Sequence, residues 1–181
     1  MNKIDIDNLS FEPFIFYHQI ENRIKQLAQE INANYSDKKP IFIGVLNGCF
    51  MFMSDLMKEI DIPAEMSFIK LSSYAGTHQG EVSELIGLGI DLADRDVVIV
   101  EDVVDSGKSL KHTMLALESK GAKSITVCTL LIKPEAMQFE FDNINYIGFE
   151  IQKEFVIGYG LDYNGYYRNL KDIYKEVSLQ A

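Results

Sequence analysis

The chain has 181 residues, 47% hydrophobic and 24% charged, a composition that suits one globular domain with its own core and excludes wholesale disorder. With 17 Lys and Arg against 27 Asp and Glu, the formal net charge is −10, which argues against a general nucleic-acid or membrane-surface binder and confines any anion binding to a local site. Cys49 and Cys128 both sit in apolar stretches and read as buried free thiols of a reducing compartment. No apolar run reaches the roughly 20 residues of a membrane span. Residues 1–7 carry acids where a secretory signal needs an apolar core, so a cytoplasmic chain is expected.

Helix and strand patterns alternate along the sequence. Over residues 18–34 the apolar side chains of Ile20, Ile24, Leu27 and Ile31 recur at helical spacing, which predicts an amphipathic helix. Pro40 precedes a buried-strand run at 41–46. After Asn47-Gly48, a second helical stripe follows in Phe50, Met53, Leu56, Met57 and Ile60. Residues 64–71 read as another strand. The segment 72–81 is long, polar and holds two glycines, the signature of a lid or binding loop. The run Val97-Val98-Ile99-Val100 is a buried strand expected to end at Glu101-Asp102. Residues 109–120 form a third helix, with Leu110, Met114 and Leu117 on one face and Gly121 as its stop,. Residues 125–132 are again a mostly apolar strand. Continuous apolar strands separated by helices indicate an α/β fold with a mostly parallel sheet covered on both faces. The stretch 155–167 carries four tyrosines and no helical period.

The strongest chemical signal runs from Val97 to Ser109: a buried strand, two carboxylates, a tight turn and a helix. In open α/β sheets ligands collect beyond the carboxyl ends of strands. Ser106, Gly107 and Ser109 would present N–H groups and hydroxyls at a helix N-terminus, a place for phosphate. Glu101, Asp102 and Asp105 beside it suggest a hydroxyl-rich sugar and Mg²⁺. Gly107-Lys108-Ser109 matches the end of a P-loop, but the first glycine of that motif would fall at position 102, which is Asp102. An acid there would face the phosphates, and the nucleoside-triphosphatase reading fails on its own pattern.

A strand, two acids, two apolar residues and then Asp105-Ser106-Gly107-Lys108-Ser109 resembles the phosphoribosyl-diphosphate motif of type I phosphoribosyltransferases. The likeness extends from about Phe14 to the C-terminus. The tail, Gly148-Phe149-Glu150-Ile151, Phe155-Val156-Ile157-Gly158-Tyr159, Leu161-Asp162-Tyr163-Asn164 and Arg168, is similar to the hypoxanthine(-guanine) branch in particular. The resemblance implies a single domain over 1–181, with a central mostly parallel sheet and a small hood built from roughly 1–15 and 134–181. It implies purine salvage: transfer of the phosphoribosyl group from 5-phosphoribosyl 1-diphosphate to hypoxanthine and guanine, Mg²⁺-dependent, in a homodimer or homotetramer, with no nucleic-acid or membrane partner.

Residue by residue, the resemblance gives Asp105 the role of general base. Glu101 and Asp102 would hold the ribose hydroxyls and the metal, with Asp162 as a further metal-side carboxylate. Asp105, Ser106, Gly107, Lys108 and Ser109 would wrap the 5′-phosphate. Asn47, Gly48 and Arg168 would meet the diphosphate. Lys133 would donate to the 6-oxygen of the purine, Phe155 would stack on it, and Val156 and Asp162 would read its edge. Ser73 and Tyr74 would belong to a mobile loop closing over the site. The loop after the first core strand is one that the family often builds around a non-proline cis peptide. There the chain departs from its relatives: Asn47 stands where many carry Lys or Arg. Taken singly, Lys133, Asp162 and Arg168 would read as surface charges, and Phe155 as core. A non-catalytic sensor of phosphoribosyl diphosphate that regulates transcription or RNA is the alternative. It would need a nucleic-acid surface that a net charge of −10 and the lack of a basic block do not supply, and it would not need Asp105 and Lys133.

Overall fold

Strand alternation sorts the core into two layers. Phe42, Val98, Val100, Cys128 and Leu130 face one way, against Ile20, Ile24, Leu27, Phe52, Met53 and Leu56. Ile41, Ile43, Val97, Ile99 and Val127 face the other way, against Leu110 and Leu117. This period of two on strands, matched by the helical stripes, leaves no polar face on the sheet, which is why these strands read as continuous apolar runs. The structure, a computed structural model, describes residues 3–73, 82–86 and 88–177.

Strands β1 (Ile4–Ile6) and β2 (Leu9–Ile15) lead into helix α1 (Tyr17–Asn34). There follow β3 (Ile41–Val45), α2 (Phe50–Glu59), β4 (Glu65–Ser73), β5 (Val82–Ile86), β6 (Asp96–Val104), α3 (Lys108–Glu118), β7 (Ser124–Ile132) and β8 (Ile144–Glu150). The chain ends in β9 (Val156–Ile157) and β10 (Ile173–Val177). The larger sheet has the order β5-β4-β3-β6-β7-β8. Its five central and right-hand strands pair in parallel, and β5 is antiparallel to β4. The α/β class and parallel sheet expected from the sequence are therefore present. The order reverses between β3 and β6, whose crossovers leave in opposite directions. That is the switch point where open α/β sheets bind ligands.

A second sheet, β1-β2-β10-β9, is antiparallel and closes over Phe11 and Ile157. It draws on both ends of the chain, while β8, within the 134–181 stretch, lies in the larger sheet. Two hydrogen bonds tie the small sheet's connections to the body. Tyr17 N donates to Asp172 Oδ1 at 2.7 Å, and the buried Tyr159 hydroxyl donates to Asp55 Oδ2 on α2 at 2.7 Å. Both cysteines are free and buried. Among the described residues, no helix is long and apolar enough to cross a membrane.

Two local expectations change. Strand β6 does not stop at the acids but runs to Val104, because β7 continues the ladder through Glu101↔Thr129, Val103↔Leu131 and Val104↔Ile132. On its other side β3 stops pairing at Gly44↔Val100, so the acids stand where one neighbour has left. Of the polar segment 72–81, Ser72 and Ser73 belong to β4 and pair with Ser83 and Val82 of β5. Tyr74 lies outside the described residues.

Candidate active site

The notch left by β3 opens into a cavity of about 280 Å³. Two loops line it, each running from a strand end into a helix: Leu46, Asn47 and Gly48 after β3, and Asp105, Ser106, Gly107 and Ser109 after β6. The β6 acids Glu101 and Asp102 form its floor, and Asp162 and Arg168 come in from the tail.

The first loop turns through a cis peptide bond between Leu46 and Asn47. Gly48 lies so close to the Asp102 carboxylate that a Cβ there would occupy the same space, so only glycine lets the loop rest on the acid. Among the described residues, the N–H groups of Asn47 and Gly48 have no protein acceptor, while Cys49 N bonds to Val45 O at 3.4 Å and Phe50 N to Asn47 O at 3.4 Å. Two open donors therefore stand at the start of α2. The carbonyl of Asn47's side chain accepts from Lys70 Nζ at 3.2 Å.

The second loop is held from behind. Gln138 N donates to Ser106 O at 3.0 Å. Gly107 has φ +77, and a Cβ on it would meet Phe141 Cε2 at 2.7 Å. This left-handed turn hands the chain to α3 with the N–H groups of Ser106, Gly107, Ser109 and Leu110 unpaired among the described residues. A helix start with open N–H groups and its positive dipole end is an anion cradle. Lys108 helps form the turn, its N–H reaching Ser106 Oγ at 3.5 Å, but its side chain is exposed and does not line the cavity.

Electrostatically the floor is under tension. Glu101 is 5% exposed, and burial, reinforced by the neighbouring Asp102, pushes its carboxyl well above the usual range,. Burial likewise pushes Asp102 up to about 6, against the Val103 N–H bond and the Arg168 guanidinium that favour its charged form, with Asp162 adding repulsion. Arg168 is placed by Gly160 O, 2.6 Å from Nη1, and by Asp162 Oδ1, 2.6 Å from Nη2. The other Asp162 oxygen accepts from Gly165 N at 2.7 Å. Among the described residues, no three acids or other ligating side chains converge on a common metal point.

Lys133, just past β7, is 8% exposed, and its ammonium donates to Asp105 Oδ2 at 2.7 Å. A buried ammonium requires a partner, and here each group is the other's. Phe155 is 40% exposed, its ring packed against Phe11 at 5.9 Å and Tyr163 at 6.0 Å. Val156 is buried in β9 beside it. The structure thus gathers Asn47, Gly48, Glu101, Asp102, Asp105, Ser106, Gly107, Ser109, Asp162 and Arg168 around one cavity. Lys133 joins through Asp105, and Phe155 and Val156 stand on the small-sheet side. Lys70 escaped the sequence reading; its signal is register, since Val45 pairs with Ile69 and the next residue falls beside the loop.

The chain matches the phosphoribosyl transferase domain family over residues 16–164. A hypoxanthine-guanine phosphoribosyltransferase of Bacillus subtilis is 39% identical over 94% of this chain and 93% of its own length. A crystal structure of a Staphylococcus aureus hypoxanthine phosphoribosyltransferase superposes with TM-score 0.85 at 37% identity, covering 91% and 90% of the two chains. One from Trypanosoma cruzi, a complex with the product IMP, superposes with TM-score 0.84 at 31% identity over 94% and 91%. The chain also matches bifunctional TilS/HprT proteins of Listeria monocytogenes at 40% identity, spanning 24% of their length. Nothing in these likenesses supports the sensing alternative. The chain belongs to the phosphoribosyltransferase family, among the hypoxanthine(-guanine) phosphoribosyltransferases, the enzymes of purine salvage by phosphoribosyl transfer.

Proposed function

We propose that this site transfers the phosphoribosyl group of 5-phosphoribosyl 1-diphosphate to hypoxanthine and guanine, giving IMP or GMP and diphosphate. The observation that carries the base preference is the pair Asp105 and Lys133, an acceptor and a donor held 2.7 Å apart. A 6-oxopurine offers a ring N–H and an oxygen side by side on one edge, complementary to that pair. Adenine would turn a 6-amino donor toward an ammonium that can only donate.

In this reading the 5′-phosphate sits on the open N–H groups of Ser106, Gly107 and Ser109, and the diphosphate on those of Asn47 and Gly48, with Arg168 across from them. The purine nitrogen attacks C1′ as the bond from C1′ to the diphosphate oxygen breaks and its electron pair leaves with the diphosphate. Asp105 takes the proton from the purine N–H. Lys133 moves from Asp105 to the 6-oxygen, Phe155 stacks on the ring, and Val156 and Asp162 border its far edge. Ser73 and Tyr74 belong to the segment that would close the site and exclude water.

The donor set suits a hard dication. Glu101 and Asp102 supply buried oxygen ligands that no ion pair neutralises among the described residues, and Mg²⁺ takes few protein carboxylates alongside substrate oxygens,. Bound there, with Asp162 joining from across the cavity, it would neutralise the charge building on the leaving diphosphate. The enzyme acts in the cytoplasm as a homodimer or homotetramer, which sedimentation would test. Chromatographic product analysis with phosphoribosyl diphosphate, Mg²⁺ and each of hypoxanthine, guanine, xanthine and adenine tests the reaction. Monophosphate from the 6-oxopurines alone, lost without metal and reduced in an Asp105→Asn variant, is expected. Bound phosphoribosyl diphosphate with no product from any base would overturn it.

A further inference from the structure

The cavity has a charge problem. Its lining carries four acids, Glu101, Asp102, Asp105 and Asp162, against one base, Arg168. That base is committed to Asp162, and Lys133 to Asp105. Yet the diphosphate proposed above is a polyanion, and the loop that would receive it presents an uncharged Asn47.

Lys70 stands beside that loop. β4 runs parallel to β3 with Val45 opposite Ile69, and Leu46 N donates to Ile69 O at 2.9 Å. The register therefore puts Lys70 next to the peptide that turns out of β3. Its ammonium donates to Asn47 Oδ1 at 3.2 Å, and no ion pair joins it to a carboxylate among the described residues. An ammonium has three donors, and one bond to an amide oxygen leaves two.

We infer that Lys70 is the cation of the diphosphate loop: anchored by Asn47, it donates its remaining N–H groups to the diphosphate, so that two residues from adjacent strands do the work of one charged loop side chain. This rests on the transferase reading above. It also assigns Asn47 a positioning role, holding the ammonium toward the ligand.

Calorimetric titration with magnesium diphosphate and, separately, with IMP tests it on the intact protein. IMP carries the purine and the 5′-phosphate but no diphosphate. Lys70→Gln is expected to weaken diphosphate about tenfold or more, the scale of one charge-assisted hydrogen bond, and to leave IMP affinity unchanged. Lys70→Arg should retain most of the affinity, and adding Asn47→Lys to Lys70→Gln should restore it. Unchanged diphosphate affinity in Lys70→Gln, or a parallel loss of IMP affinity, would overturn the inference. Failure of the unsubstituted protein to bind either ligand would instead sink the transferase reading.

Discussion

Replacing Asp102 with Asn should make the metal-free protein more stable at neutral pH while crippling the site. Burial moves this carboxyl from its ordinary 3.8 to about 6. Ionising it in the folded state thus costs up to about 3 kcal/mol more than in the unfolded chain. Asp102 keeps contact with the cavity, so about 1–2 kcal/mol is the expected share after solvent screening. Between pH about 4 and about 6 the folded protein holds the proton that the unfolded chain has released. Stability therefore falls as pH rises through that window, and the full cost is present above it. Asn is uncharged throughout and keeps an oxygen for the Val103 N–H, now 3.0 Å from Asp102 Oδ1. With chelator present, thermal unfolding of Asp102→Asn at pH 7.5 should shift upward by about 2–8 °C, with the gap closing towards pH 4. A variant less stable than its parent at pH 7.5, or a gap independent of pH, would refute the account of the floor as a destabilising pair of acids.

Gly48→Ala should lower kcat/KM for phosphoribosyl diphosphate on the order of 10²-fold, because the added Cβ displaces the loop from Asp102,; steady-state kinetics checks it, and near-normal activity would contradict the packing. Tyr159→Phe removes the hydroxyl that joins the tail to Asp55 on α2 and should cost about 1–2 kcal/mol in denaturant unfolding, since Lys58 is then the one partner left to Asp55 among the described residues. Burial raises the thiol pKa of Cys49 and Cys128, so iodoacetamide at pH 8 should modify either only as fast as the protein opens; rapid labelling of Cys49 in the native state would show that the diphosphate loop breathes.

The core sheet was legible because its central strands β3, β6 and β7 are buried on both faces over most of their length: the runs at Ile41–Val45 and Ser124–Ile132 have no other economical home. The same logic misplaced the end of β6, since apolar continuity stops at Val100 while pairing does not. Glu101 and Asp102 remain in a strand because β7 holds their backbone, and only the loss of β3 exposes them. The small antiparallel sheet was legible only as tail and termini. Its strands are short, one is two residues long, and their pairing joins residues about 160 apart in sequence. The loop after β6 announced itself through its acids, small residues and glycine ahead of a helix, whereas the loop after β3 was legible only through the family likeness, because what requires Gly48 is Asp102 on another strand. Lys70 and the Tyr159–Asp55 bond did not announce themselves, because each depends on which strand or helix lies next door.

The charges of the site share one pattern. Three cations beside the cavity are each held by a named partner: Lys133 by Asp105, Arg168 by Asp162, and Lys70 by Asn47. Pairing keeps an acid-rich pocket from leaving an ammonium or guanidinium unsatisfied, and it orients each donor before any ligand arrives. At Lys133 the cost is that the purine must displace a bond already made. A 6-oxygen competes for Lys133 only when a ring N–H replaces the ammonium at Asp105, so the exchange favours a base that brings both groups at once. Selectivity for 6-oxopurines then follows from the 2.7 Å pair itself, since a ligand offering only the oxygen would leave Asp105 unpaired, and one offering only donors would leave Lys133 so.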